Sequence, residues 1–254
     1  MKTRILALII GIVLGAYIGG YFTSQTVYIY KYRESTAEFL HFIELFNESN
    51  GSVASMIIPA LDEQGNGVST LLTVQAVPGS GRTLVNIDRL LFWIDTQNSI
   101  RTARSVAENI TGINLSYYDL IYTISANASV IEGPSAGAAL TIATVAALEG
   151  KRLNSSVMIT GTINHDGTIG PVGGVLEKAE AAKSIGAQLF LVPLLQSSQI
   201  TYETKKYCER IGWSQICTIE QIPKKVNISE EIGIEVKEVM NIEDALKYFL
   251  VEKK

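Results

Sequence analysis

Basic charge is in short supply in this chain: 21 Lys and Arg are outnumbered by 25 Asp and Glu, leaving a formal net charge of -4 over 254 residues. Nucleic acids are held largely by clustered cations that neutralise phosphates, and no dominant Lys/Arg patch exists here, so nucleic acid is not an expected partner. Histidine is scarcer still. His41 and His165 are the two present, and neither stands in a recognisable motif, which argues against a Ser-His-Asp hydrolase. The two cysteines, Cys208 and Cys217, lie nine positions apart with no histidine beside them, a spacing that does not suit zinc and leaves either a disulfide or two packed thiols. No metal site and no cofactor is expected. The phosphate-cradling G-x-x-x-x-G-K-[ST] loop is also missing: Gly79-Ser80-Gly81-Arg82-Thr83 lacks both the lysine and the spacing, so no nucleotide-driven motor of that type is written in the sequence.

What the chain has in quantity is apolar surface. With 47% hydrophobic and 18% charged residues, it can bury one domain of ordinary size plus small appendages. Ile5 to Phe22 is a charge-free run of 18 residues. At about 1.5 Å per residue it reaches roughly 27 Å, close to the bilayer core, with the following residues extending it into the interface. Lys2 and Arg4 precede it and the next basic residues are Lys31 and Arg33, a bias that favours a cytoplasmic N-terminus. The bulky Tyr21 and Phe22 argue against signal-peptide cleavage just after the run, so an uncleaved transmembrane anchor is expected over residues 1–24. Seven N-x-[ST] sequons, at Asn47, Asn50, Asn109, Asn114, Asn127, Asn154 and Asn227, against roughly two by chance, favour an extracytoplasmic domain that receives glycans.

After the anchor, residues 25–52 read as a stalk or docking helix and residues 53–254 as the main domain. Short β-type runs at Ser55 to Ala60 and Ser69 to Val77, punctuated by glycine, suggest an opening hairpin. Arg89 to Ile110 has helical periodicity, Asp119 to Ser125 alternates as a strand, and Ser135 to Leu148 is apolar nearly all round, the pattern of a helix buried inside the fold. Val157 to Ile163 and Thr168 to Val172 flank an Asp166-Gly167 turn. A helix over Val175 to Ile185, strands at Gln188 to Val192 and near Ile234 to Val239, and a closing helix from Ile242 to Leu250 complete an α+β domain.

Two stretches carry chemistry. In Glu132-Gly133-Pro134-Ser135-Ala136-Gly137-Ala138-Ala139 a serine follows a Gly-Pro turn and opens the buried helix. Unpaired backbone N–H groups there, those of Ser135 and Ala136, can hold an oxyanion formed on a carbonyl that Ser135 attacks; on its own, a serine at this position is equally an ordinary cap. In Gly173-Gly174-Val175-Leu176-Glu177-Lys178-Ala179-Glu180-Ala181-Ala182 helical spacing puts Lys178 on the face shared by Val175, Ala179 and Ala182, and thus pointing inward, while Lys183 can pair with Glu180 on another face. A desolvated lysine loses proton affinity, and its neutral amine can take the proton from a serine hydroxyl.

These stretches resemble, in order and separation, the nucleophile and lysine motifs of the Lon peptidases, and the likeness extends from about Val53 to Leu250. The resemblance implies the fold of the Lon proteolytic domain and a serine endopeptidase with a Ser135-Lys178 dyad acting on unfolded or flexible polypeptides. It implies auxiliary roles for Thr160, whose hydroxyl supports the serine or lysine, and for Glu132, which stands where many members have Asp. A homo-oligomer is also implied. The sequence departs from the family at Thr123, where bacterial members often have histidine, and over residues 196–225, which read as an insertion carrying both cysteines. With no phosphate loop, cleavage is expected to need no ATP. The competing reading is a binding or assembly module that kept the fold and lost catalysis.

Overall fold

The computed structural model describes residues 51–86, 94–125, 133–211 and 213–250. The expected anchor, nearly all of the stalk, Glu132, His41 and the sequons at Asn47, Asn50 and Asn127 lie outside the described residues. Among the described residues no helix is long and apolar enough to cross a membrane.

Ser52–Leu61 (β1) and Gly67–Pro78 (β2) form the expected hairpin, in register from Ser52↔Ala76 to Leu61↔Gly67. Asp62 closes it locally: its Oδ1 accepts from the N–H groups of Gln64 (2.9 Å) and Asn66 (2.8 Å), and Gly65 takes the positive φ of 83° that the turn needs. Thr83–Asn86 (β3) and Tyr118–Ser125 (β4) extend the sheet in the order β1-β2-β4-β3. β3 runs parallel to β4 and so requires a long crossover, which the helix Ile94–Thr111 (α1) supplies. The turn between β2 and β3 is pinned by Asp119, whose carboxylate accepts from the N–H groups of Ser80 and Arg82 and from the Arg82 guanidinium. The Arg82 side chain and these backbone donors hold the Asp119 carboxyl well below the usual carboxylate range.

Gly137–Glu149 (α2) is the hub of the molecule. Its residues from Gly137 to Ala147 are all buried, as the uniformly apolar pattern predicts. Its two threonines satisfy their hydroxyls on the preceding turn, Thr141 on the Gly137 carbonyl at 2.9 Å and Thr144 on that of Leu140 at 2.6 Å. One side of α2 packs on β1 and β2, another on α1, and a third on the closing helix Ile242–Phe249 (α5). From β4, the Tyr122 hydroxyl shares a 2.9 Å hydrogen bond with Thr144, and burial pushes the phenol up to about 12.

A second, three-stranded sheet is parallel throughout, in the order Glu235–Val239 (β11), Leu189–Pro193 (β8), Val157–Ile159 (β5). β8 is buried along its whole length, which is why its sequence is continuously apolar rather than alternating. The strand expected over Val157 to Ile163 is broken at Thr160-Gly161. There the chain leaves β8, to which the Thr160 N–H still donates through the Leu191 carbonyl (3.1 Å), and turns its next backbone groups to the Ser135 region. Thr162–Ile163 (β6) and Ile169–Gly170 (β7) then make the small hairpin expected around Asp166-Gly167. Val175–Ser184 (α3) follows as expected. The strand β3 and the short helix Ile228–Ile232 (α4) were not anticipated; both are too brief to establish a period.

Residues Ser198–Ile211 (β9) and Ser214–Asn227 (β10) form a two-stranded antiparallel arm joined by a Cys208–Cys217 disulfide between directly opposed positions with Cα atoms 4.0 Å apart. The sequons gain a second explanation. Asn114, Asn154 and Asn227 each accept from the N–H of the serine two residues on, at 2.9, 3.0 and 3.0 Å. An Asn-x-Ser turn of this kind has its own structural cause, independent of glycosylation.

Candidate active site

Gly133 opens the site with a φ of 90°, a conformation that a side-chain-bearing residue rarely adopts. The following Pro134–Ala136 segment is a 3-10 turn, so the helix expected from Ser135 begins as α only at Gly137, where the Gly137 N–H donates to the Pro134 carbonyl. A tighter turn rotates Ser135 off the axis of α2 and leaves it half-buried at the corner rather than inside the helix. Pro134 has no N–H; the remaining amide donors at the corner belong to Ser135 and Ala136, and the 3-10 pattern turns that of Ala136 toward the Gly133 carbonyl.

The corner is braced by its backbone. The Gly161 N–H donates to the Ser135 carbonyl at 3.0 Å, and the Ala138 N–H donates to the Gly161 carbonyl at 3.0 Å. The Thr160 hydroxyl, on a residue 1% exposed, reaches the same Ser135 carbonyl at 3.5 Å. Close approach requires the absent side chains: a Cβ on Gly137 would lie 2.7 Å from the Ile163 nitrogen, and one on Gly161 would lie 2.3 Å from Ile169 Cγ2. Thr160-Gly161 thus supports the Ser135 main chain. The family resemblance singles out Thr160, but the sequence holds no signal for this pairing, which arises only where β5 ends.

Lys178 sits on α3, 4% exposed. Gly67 presses against the helix at Glu177 and Ala181, where a Cβ would stand 2.0 Å from the Glu177 carbonyl oxygen, and Val175, Ala179 and Ala182 are buried in the cluster with Phe190 and Val192. At about 100° per residue Lys178 falls between these two strips. Among the described residues its ammonium makes no hydrogen bond or ion pair, and burial pulls its pKa down from 10.5 to about 8 against a smaller opposing pull from the Glu177 carboxylate. Glu177 Oε2 is itself buried without a hydrogen-bond partner among the described residues. Both the Ser135 turn and α3 pack against β1. No hydrogen bond joins the Ser135 hydroxyl to the Lys178 amine.

Lys183 does not pair with Glu180; its amine donates to the Ile232 carbonyl and closes the C-terminal end of α4, a contact set by tertiary packing rather than by helix spacing. The N-terminal approach to α3 is held by the root of the arm, which the sequence did not foretell. Gln196 accepts from the Val172 N–H at 2.9 Å and donates to the Val172 carbonyl at 2.7 Å, and Gln199 accepts from the Leu176 N–H at 3.4 Å. His165 stands exposed at the β6–β7 turn, where it makes no hydrogen bond to the Ser135 region. Among the described residues no group of three His, Cys, Asp or Glu side chains is placed to hold a metal ion.

Comparison with known proteins adds an independent line to this geometry. A model of the Lon protease (S16) C-terminal proteolytic domain fits residues 94–229, more than half of the chain. The chain is 32% identical over 187 residues to a Lon protease of Buchnera aphidicola subsp. Acyrthosiphon pisum, covering 71% of this chain and 21% of that one. It is 31% identical over 161 residues to the Lon protease of Escherichia coli K12, covering 61% and 19%. An archaeal Lon protease of Methanothermobacter thermautotrophicus is 28% identical over 170 residues, covering 64% and 25%. The chain therefore spans a quarter or less of the length of these relatives.

Proposed function

Because this chain belongs to the Lon protease family, through the C-terminal proteolytic domain that it matches, we propose that it is a serine endopeptidase that cleaves unfolded or flexible polypeptides with a Ser135-Lys178 dyad and without ATP. The observation that carries this reading is the state of Lys178: 4% exposed, unpaired among the described residues, with its pKa drawn down to about 8. A lysine so placed is neutral in a useful fraction near neutral pH and can accept the Ser135 proton as the hydroxyl adds to a peptide carbonyl. Charge on the resulting oxyanion is met by the Ser135 amide at the corner. The amine then returns the proton to the leaving nitrogen, giving an acyl-enzyme that water, activated by the same lysine, hydrolyses. Thr160 and Gly161 act by fixing the Ser135 main chain. The approach of amine to hydroxyl to about 2.6–3.2 Å that proton transfer needs is supplied on substrate binding, since catalytic hydrogen bonds are commonly long in an empty site.

Nucleotide independence is read by comparing cleavage of an unfolded polypeptide and a stable folded domain by the purified full chain, with and without ATP and magnesium. The unfolded chain is expected to be cut at the same rate in both conditions and the folded domain hardly at all, because unfolding must come from the substrate's own fluctuations. Strong stimulation by ATP contradicts this.

For location, the reading is a single-pass membrane protein with its peptidase domain outside the cytoplasm, supported by the Ile5 to Phe22 run and the sequons. Among the described sequons, Asn109 is exposed on α1 and, unlike Asn114, Asn154 and Asn227, forms no Asn-x-Ser turn. The domain is expected to be digested by protease added to intact cells and to carry a glycan at Asn109. Protection in intact cells, lost on lysis, together with an unmodified Asn109, places the domain in the cytoplasm and refutes the topology.

A further inference from the structure

The β9–β10 arm is the part of the molecule that the peptidase reading leaves without work. Strand alternation divides its residues between two faces. One face turns inward at the root, where Val226 is buried and Ile222 half-buried. Farther out this face is also exposed, with Tyr207 at 53% and Ile216 at 56%, but its charges are mixed: Glu203, Glu209 and Glu220 with Lys205 and Lys224. The opposite face looks outward and carries Ile200, Tyr202, Ile219, Pro223 and the Cys208–Cys217 disulfide, with Ile200, Tyr202 and Ile219 at 60%, 64% and 65% exposure. Its charged residues are Lys206, Arg210 and Lys225, and no acidic residue stands among them. At the tip Trp213 is fully exposed, at 105%.

A soluble protein rarely leaves such a row of large apolar groups uncovered, and the charge sorting says what covers it. A partner protein would accept either sign of charge at its rim. A face that joins exposed apolar side chains and a tip tryptophan to charges that are all cationic, with neutral Thr204, Gln215 and Gln221 between them, suits the interface of an anionic bilayer, where indole rings settle at headgroup depth and lysine and arginine meet lipid phosphates. We propose that the outward face of the arm, with Trp213 at its tip, lies against an anionic lipid surface. The disulfide makes this workable, because an isolated two-stranded ribbon is marginally stable in water and a cross-link between opposed strands holds its apolar face in register. Through Gln196 and Gln199 the root of the arm is bonded to the segment leading into α3, so contact with lipid fixes the orientation of the Lys178 side of the domain to the membrane plane.

The test uses the full chain as a Trp93→Phe variant, which leaves Trp213 as the sole tryptophan, in phosphatidylcholine vesicles with or without phosphatidylglycerol. Trp213 emission is expected to shift to the blue and to be quenched by lipids brominated close to the headgroup. Quenching should be stronger with phosphatidylglycerol, be reduced severalfold by high salt, and fall likewise in a Lys206→Glu/Arg210→Glu/Lys225→Glu variant whose retained disulfide shows an intact arm. An unshifted, unquenched Trp213 in both kinds of vesicle overturns the proposal. Equal quenching regardless of lipid charge and of the charge reversal overturns the anionic-surface assignment. A response to an added tryptophan-free unfolded polypeptide but not to lipid, measured in a Ser135→Ala background, makes the arm a polypeptide-docking ribbon instead. Quenching reports the arm's own position, so these results are independent of whether the chain is anchored elsewhere and of whether the dyad is active.

Discussion

Ser135→Ala is expected to lower the rate of cleavage of an unfolded polypeptide by at least about a thousandfold, because covalent catalysis has no substitute for its nucleophile and the residual rate would come from binding and amide donors alone. The loss should be one of kcat, with the fold untouched. The contacts that hold the Ser135 corner run through its carbonyl, to the Gly161 N–H and the Thr160 hydroxyl, and through Ala138, so removing Oγ strands no partner. Equal melting temperatures for variant and parent, measured alongside peptidase activity on material free of host proteases, separate loss of chemistry from loss of structure. An Ala variant that cleaves at the parental rate removes Ser135 from the mechanism and leaves the non-catalytic reading of the same fold.

Lys178→Met should remove activity to a comparable extent while making the protein more stable. The two effects have one cause. Burial holds Lys178 at about 8 in the folded state against 10.5 for the free side chain, so between those values the native protein binds fewer protons than the unfolded chain. Folding therefore carries its full penalty below about pH 8, where the ammonium is charged in both states, and the penalty fades as pH rises toward 10.5. The difference corresponds to roughly 3 kcal/mol, an upper figure for what an apolar replacement of similar length recovers at neutral pH. Thermal melts of the two proteins should diverge most at neutral and acid pH and converge in alkali. The same ionisation sets the parent's rate profile: kcat/KM should rise as pH increases through about 8, since the amine acts as the base only after losing its proton. A rate flat across that range, joined to an active Met variant, eliminates Lys178 as the base.

Much of this was legible in the sequence because it rests on local pattern. The apolar run from Gly137 to Ala147 could only be a helix with no solvent face, and the structure buries all of it. Lys178 shares a face with Val175, Ala179 and Ala182 by helical geometry alone, and all four are buried. The Ser135 and Lys178 motifs, with their order and separation, sufficed to name a family that the domain match then supplied. These features are fixed within a few turns of chain, where side-chain direction follows from backbone period.

What required the tertiary structure was every contact between segments distant in the chain. Lys183 was placed in an i, i+3 pair with Glu180, but α4 brought the Ile232 carbonyl within reach and won the amine. The break at Thr160-Gly161 cannot be seen in a run of strand-forming residues, because it follows from β8 claiming one side of the chain and the Ser135 corner the next. Whether Cys208 and Cys217 were joined depended on the register of two 14-residue strands, which set them directly opposite, and the sorting of charge between the arm's faces depended on the same register. The sequence by itself determined which residues are chemically able to act. Only the fold decided what each of them meets, since a hydrogen bond or a desolvated charge is a property of two surfaces brought together and is encoded in neither alone.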